Sequence, residues 1–318
     1  MNMPLVVLIV GLGLAFRILL GVWGASIMRD KGRPESLGWL FGVVLGVVGI
    51  AICSFWPRNA AHPPPGRSGR LAWVQHAIMA LASALLVPIW NARWVLLPPL
   101  TGVTMMAMIA SSVLAAPREI IEGEVQRLMY IHVPSATLSY LAFSITAFAS
   151  AVLLIRHDMR WDAIARGAAT VGVMLTAFAL LTGAIWGKPI WGTYWSWDAR
   201  LTATLVLFLI YSGYLLARAV GGPNDEQAAR YAAVVGLIGY LDIPLIHFSV
   251  DWWRTLHPQR IILSPKPALP GEMLLVLLIG FTGILFLVLW LILLRSTTEY
   301  LVQRADRVRA RLDQLERA

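Results

Sequence analysis

Long apolar segments separated by short polar stretches dominate the sequence. Most are about as long as the roughly 20 residues that a helix needs to cross a bilayer. β-Type alternation is scarce, and in lipid only helices and closed barrels satisfy every backbone polar group. The pattern therefore predicts an all-α polytopic transmembrane helical bundle. Nine apolar segments stand out, at residues 4–26, 37–56, 71–90, 94–116, 134–155, 163–186, 200–219, 230–248 and 272–294.

Polar stretches divide the N-terminal part of the chain. Residues 57–70, PRNAAHPPPGRSGR, are too rich in Pro and Gly for a regular helix. Residues 29–36 are a short polar turn. His76 interrupts the segment at 71–90, which therefore either spans the membrane or lies in its interface. We expect three parts: a membrane extension at 1–70, a transmembrane domain at 71–295 and a tail at 296–318.

The tail, EYLVQRADRVRARLDQLERA, has apolar residues at heptad-like spacing among charges and predicts an amphipathic helix. Such a helix would lie on the membrane surface or against a partner. Because short cationic segments stay in the cytoplasm, its arginines orient the chain with the C-terminus inside. Counting back through the last six segments then places 117–133, 187–199 and 249–271 outside. The apolar positions are Leu301, Ala305, Val308, Leu312 and Leu315.

Composition narrows the class of protein. Hydrophobic residues make up 58% of the 318 residues and charged residues 14%, against roughly 25% charged in soluble domains. The net charge of +9 is concentrated in loops and the tail, as topology requires, so no nucleic-acid partner is predicted. Cys53 is the single cysteine, which excludes an internal disulfide and a covalent haem-attachment motif.

Three features converge on the predicted outer face. His132 lies directly before Val133-Pro134 at the start of one segment, and His247 lies near the end of another. Between them runs the aromatic stretch 186–202, WGKPIWGTYWSWDARLT. Either histidine by itself would more often be a hydrogen-bonded interfacial residue than a ligand. Two imidazoles at matching depth are a common way to hold haem iron between them.

The aromatic stretch supplies broad apolar faces for stacking on a planar ring. The alternative is the aromatic belt of any membrane protein, which explains one or two tryptophans per helix end but not this density. Gly187 and Gly192 predict tight turns, and Pro189 restricts the loop further. The candidate platform residues are Trp186, Trp191, Tyr194, Trp195 and Trp197, with Trp252 extending the platform.

Charged residues flank this platform. Asp198 is placed either to cap the following helix or to contact a ligand. Arg200 and Arg127 are candidates for binding the carboxylates of a ligand, although Arg200 could instead pair with Asp198. His257 is the weaker histidine candidate, because it lies in the outer loop. Pro244 predicts a kink that tilts His247 toward the platform.

The motifs resemble those of one family. WGKPIWGTYWSWDARLT resembles the tryptophan-rich WWD signature of haem-handling membrane proteins. MYIHVP and PLIHFSVDWWRTLH resemble the flanking histidine segments of its cytochrome c maturation protein C branch. The resemblance covers about 94–294 and implies a six-helix haem-handling core. Two or three extra N-terminal membrane helices depart from the family pattern.

The resemblance also implies a function. Haem b would bind non-covalently at the outer face of the bacterial inner membrane, with His132 and His247 as axial ligands and Arg127 and Arg200 on the propionates. A periplasmic haem chaperone would receive it. ATP-binding cassette subunits and a small membrane subunit would complete the complex, in contact with membrane lipid.

Three alternatives stay open at this point. A transporter that moves haem across the bilayer should have a midplane site, and Asp242 with Pro244 is the only hint of one. A haem lyase of the wider family would have further histidine pairs and a large outer domain. A structural scaffold would bind no cofactor.

Overall fold

The computed structural model describes residues 92–257 and 269–317 continuously, together with residues 33–45 and scattered positions from 18 to 31 and at 53. Its contacts divide the chain into two compact units, residues 1–89 with 154–157 and residues 90–153 with 158–318. The predicted linker at 57–70 and the segment at 71–90 lie outside the described residues, as do most of the segments at 4–26 and 37–56.

In the first unit, the predicted polar turn precedes a helix. The backbone N–H of Arg33 donates to the carbonyl of Met28 at 2.9 Å, which closes the turn. Helix α1 (Glu35–Leu45) follows and begins with an acidic residue, as the positive end of the helix dipole favours.

The second unit is helical apart from its connections. Six of its helical stretches are long and apolar enough to cross a membrane, so the predicted all-α membrane fold is confirmed. A π-turn at Ser111–Ala115 ends α2, and a 3₁₀ turn at Glu124–Leu128 leads into α3. The helices are α2 (Ala92–Ala115), α3 (Met129–Arg156), α4 (Arg160–Trp191), α5 (Ala199–Gly221), α6 (Glu226–Tyr240), α7 (Asp242–Trp252) and α8 (Gly271–Arg317).

Two boundaries differ from the sequence prediction for physical reasons. The span at 226–252 is broken at Leu241, between α6 and α7. Pro244 lacks the N–H that would bond the carbonyl of Tyr240 and its ring crowds that carbonyl, so the break precedes the proline by one turn. The last span and the tail, predicted as separate elements, form the single 47-residue helix α8.

Helices α3 and α4 form the middle of the second unit, because both contribute to its two largest apolar clusters. One cluster joins them to α5, α6 and α7, and at its centre Phe143 stacks on Tyr211 with ring centroids 3.9 Å apart. The other joins them to α2 and α8 through residues such as Met108, Val171 and Val288. The central pair therefore fixes the remaining helices on either side.

Buried polar groups lock the end of the bundle where α8 emerges. Asp162 at the start of α4 and Arg218 near the end of α5 are fully buried and bonded through both carboxylate oxygens, at 2.8 and 2.9 Å. The amide of Gln303 donates to the same carboxylate at 3.0 Å. Arg166 contacts Glu299 at 3.0 Å. We call this the arginine end. The loops before α3 and between α4 and α5 lie at the opposite end, the histidine end, because the spans alternate in direction.

Candidate functional site

His132 lies in the first turn of α3, which begins at Met129, five residues earlier than the apolar pattern suggested. Pro134 is therefore inside the helix rather than at its start. The imidazole packs against α4. Its ring meets Trp186 edge-on with centroids 5.6 Å apart, and a Cβ on Gly183 would lie 3.0 Å from its Cε1. The glycine therefore provides the space that this ring occupies.

A threonine fixes which nitrogen of His132 is available. The hydroxyl of Thr182 donates its single proton to the carbonyl of Phe178 at 2.8 Å. Its oxygen lies 3.0 Å from Nδ1 of His132, and with the hydroxyl proton on that carbonyl it accepts from Nδ1–H. In the neutral ring this leaves the Nε2 lone pair as the donor for a metal, and the partner on Nδ1 holds the ring's orientation.

The first two platform tryptophans are helical rather than in a loop. Helix α4 continues through Pro189 to Trp191 and ends at Gly192, whose φ of 75° is the left-handed conformation that favours glycine. The turn predicted at Gly187 is wrong, because this residue is a buried part of the helix. A Cβ there would lie 2.8 Å from the ring of Trp191, so Gly187 provides a seat for that ring.

The loop that follows, residues 192–198, presents aromatic rings at the protein surface. Tyr194 is 61% exposed and Trp197 is 76% exposed. Trp195 is partly buried and meets Trp197 edge-on with centroids 5.5 Å apart, and its buried Nε1 has no partner among the residues that the structure describes. The hydroxyl of Thr193 donates to the carbonyl of Trp195 at 2.9 Å, which orders the turn.

Asp198 caps α5 and also links two loops. One carboxylate oxygen accepts from the backbone N–H of Leu201 at 2.8 Å, which makes it the N-cap. The other accepts from the hydroxyl of Thr255 at 2.8 Å. The predicted role of Asp198 as a helix cap is thus seen in the structure. The hydrogen bond from Thr255 joins the segment after α7 to the loop that carries the platform.

Arg200 contacts the middle of α7 and the segment that follows this helix. Its guanidinium donates to the carbonyls of Ile246 and His247 at 3.4 and 3.3 Å. It also lies 3.1 Å from Nδ1 of His257. Since a guanidinium can only donate, Nδ1 of His257 accepts in this arrangement.

The two later histidines differ in what their rings contact. His257 lies with its ring centroid 6.5 Å from that of Trp191. The ring of His247 meets Phe248 edge-on at 5.1 Å, and its backbone carbonyl is the part held by Arg200. Residues 250–255 and His257, including Trp252 (60% exposed), line a cavity of about 420 Å³. The structure therefore brings His257 toward Trp191 of the platform, whereas the ring contact described for His247 is with its neighbour Phe248.

Arg127 organises the segment before α3. Its guanidinium donates to the carbonyls of Ser112 and Val113, which the end of α2 leaves without helical partners, and it pairs with Glu124. In the same segment, Glu122 accepts from the indole N–H of Trp186 at 3.0 Å. Arg127 thus holds the loop that reaches the platform, and it also lines a cavity beside α2.

The sequence did not single out Thr182, Glu122 or Thr255, and it gave His257 as the weaker histidine candidate. A helical signal for Thr182 was present, because it lies four residues before Trp186 and therefore on the same helix face. Thr255 and Glu122 act through contacts between loops distant in sequence.

The sequence is similar to those of known proteins. The family model described as "Heme exporter protein C" matches residues 72–311. A "Heme exporter protein C" of Bradyrhizobium diazoefficiens is 45% identical over 187 residues, which is 57% of this chain and 70% of that protein. Its counterpart in Haemophilus influenzae is 38% identical over 193 residues, or 60% of this chain and 78% of that protein. A "Putative cytochrome c biosynthesis ccmC-like mitochondrial protein" of Marchantia polymorpha is 38% identical over 176 residues, which is 55% of this chain and 74% of that protein.

Proposed function

The chain belongs to the haem exporter protein C family, and from this premise we propose that it binds haem b at the outer face of the inner membrane and passes it to a periplasmic haem chaperone. Family membership supports a role in haem export for cytochrome c maturation, in a multi-pass membrane protein. Haem is cargo in this proposal, and the chain performs no bond chemistry on it.

The observation that carries the proposal is the contact of Thr182 with Nδ1 of His132, which leaves Nε2 available. Thr182 holds Nδ1–H, so Nε2 keeps the lone pair that haem iron requires. The ring lies beside aromatic side chains and a glycine seat at one end of the bundle. An orienting hydrogen bond on the far nitrogen is the usual support of a metal-binding imidazole.

For the second axial ligand, the sequence predicts His247 and the geometry favours His257. The ring of His257 lies 6.5 Å from that of Trp191, on the same helix whose Gly183 and Trp186 contact His132. Ligation through its Nε2 requires Nδ1 to carry the proton, and therefore requires Arg200 to release Nδ1. A haem propionate that accepts a hydrogen bond from Arg200 would free Nδ1 of His257. Propionate binding by Arg200 and iron ligation by His257 would therefore occur together.

The remaining site residues divide between holding and presenting the cargo. Trp186 and Trp191 are fixed by α4, and Arg127 is the second candidate for a propionate. Tyr194, Trp197 and Trp252 are exposed, and exposed rings offer a contact surface to a partner in the aqueous phase. That arrangement suits a handler that transfers its cargo, assisted by the ATP-binding cassette subunits and small membrane subunit that the resemblance implies.

The position of these residues favours a handler over a transporter or a lyase. Every candidate ligand lies at the histidine end, whereas a transporter is expected to bind near the midplane. The arginines of the tail favour a cytoplasmic C-terminus, which would put the histidine end in the periplasm. The one break inside a described span is at Leu241, beside Asp242, and it is the feature on which a transporter would have to depend.

The test is a haem titration of the detergent-purified chain, followed by its visible spectrum in both oxidation states. We compare His132→Ala, His247→Ala and His257→Ala with the matched control His157→Ala, which removes an imidazole from the turn after α3. The proposal expects a low-spin haem b signal that His132→Ala weakens and His157→Ala does not.

The same set of variants distinguishes the two candidates for the second ligand. A change confined to His257→Ala assigns that ligand to His257, and a change confined to His247→Ala assigns it to His247. An unchanged spectrum in His132→Ala would refute the site, and no haem binding by the wild type would favour a scaffold.

A further inference from the structure

The tail of α8 exposes an unpartnered apolar stripe that points away from the bundle. Helix α8 runs without a break to Arg317. Three residues near the start of the tail make polar contacts with the bundle. They are Glu299 with Arg166, Gln303 with Asp162 and Asp306 with Asn224. These anchors fix the direction in which the rest of the helix extends.

The stripe lies on the opposite side of the helix from the anchors. At 100° per residue, its members lie roughly 120–200° around the axis from Gln303. Their spacing alternates between four and three residues, which is the seam of a coiled coil. All are exposed, and four of them expose 54–69% of their surface. The stripe comprises Leu301, Ala305, Val308, Leu312 and Leu315.

Arginines border this stripe. Arg304 and Arg311 lie along one edge, and Arg309 lies along the other with Glu316 as the only acid. In a coiled coil these edge positions set the choice of partner through charge. We propose that the stripe docks an amphipathic helix of another protein, one whose own apolar seam is bordered by aspartate or glutamate.

A second copy of this chain fits the edges poorly. In a parallel pair, Arg304 would face Arg309 of the other copy, and only Arg311 would find an acid, at Glu316. In an antiparallel pair centred on Val308, Arg304 would face Arg311 and Arg309 would face Arg309. Like charges opposite each other are destabilising, so an acidic partner is favoured.

A membrane surface fits the direction of the helix poorly. Because α8 rises about 1.5 Å per residue, Leu315 lies about 30 Å beyond Arg295 along the axis. Lying on the membrane would require a bend between them, and the anchors at Glu299, Gln303 and Asp306 hold the first two turns of this stretch. A short seam is sufficient for a protein partner, because the helix is already nucleated by the bundle.

The experiment uses the full chain in nanodiscs of neutral lipid and two synthetic helical peptides. Both peptides carry leucine at the seam positions, one with glutamate and the other with lysine along the edges. Fluorescence anisotropy measures binding to the wild type and to two matched double variants. Val308→Ser/Leu312→Ser interrupts the stripe, and Ala310→Ser/Gln314→Ser changes the opposite face.

We expect the glutamate peptide to bind roughly tenfold more tightly than the lysine peptide. Only the stripe variant should lose binding, and Arg304→Glu/Arg311→Glu should reverse the preference. Equal binding of both peptides, binding of neither, self-association that the stripe variant abolishes, or attachment to anionic nanodiscs would each overturn the proposal. It does not depend on haem binding, since none of these variants touches the histidine end.

Discussion

The hydroxyl of Thr182 can be removed with almost no change of shape by Thr182→Val. The Thr182 oxygen accepts from Nδ1–H of His132 at 3.0 Å, so valine leaves the ring without its orienting partner. Loss of such a partner typically lowers affinity about 10–100-fold, which corresponds to about 1.4–2.7 kcal/mol. We expect a haem dissociation constant raised by this factor. Thr182→Ser keeps a hydroxyl and should restore most of the affinity.

The same helix offers a matched control. Thr176 is buried, and its hydroxyl donates to the carbonyl of Gly172 at 2.8 Å, as that of Thr182 does to Phe178. Thr176→Val therefore repeats the chemical change without touching a histidine. Haem titration followed in the visible spectrum measures both variants, and circular dichroism checks the helix content. Equal affinities in Thr176→Val and Thr182→Val would refute the role of the hydroxyl.

Two further substitutions test the packing around the site and at the arginine end. Gly183→Val should abolish haem binding because its side chain would enter the space of the His132 ring, whereas Gly213→Val, which enters open space, should bind haem normally in the same titration. Asp162→Ala should cost about 3–5 kcal/mol in an unfolding titration in mixed micelles, because it leaves the guanidinium of Arg218 buried without its counter-ion. The double variant Asp162→Leu/Arg218→Met should recover most of that loss, and a double variant as unstable as the single one would contradict this account.

The apolar pattern predicted the spans because their length is set by the bilayer. The six described spans lie where the segments from 94 to 294 were expected. The ends were less predictable, since Trp191 and Pro189 continue α4 although they resemble loop residues. Packing of the Trp191 ring over Gly187 stabilises the last turns, and that contact is invisible in hydropathy.

The site was predictable where residues act through their own segment. Asp198 as an N-cap follows from its position before an apolar run. The environment of His257 was not predictable, because it depends on Arg200, which lies 57 residues away in sequence. Composition also gave no sign that a hydroxyl of α4 would select the nitrogen that His132 offers.

The length of helix α4 sets the level of the aromatic cluster relative to a bilayer. Its 32 residues extend about 48 Å, whereas about 20 residues cross a hydrocarbon core of about 30 Å. Asp162 and Arg166 are charged and lie in its first two turns, so the helix leaves the hydrocarbon near Trp186. Trp191 then lies about 7.5 Å farther along the axis, at the headgroup level where belt residues anchor a helix. Belt anchoring therefore accounts for Trp186 and Trp191, whereas Trp197 follows the end of the helix, is 76% exposed, and is the ring that a water-soluble acceptor would contact under the proposed function.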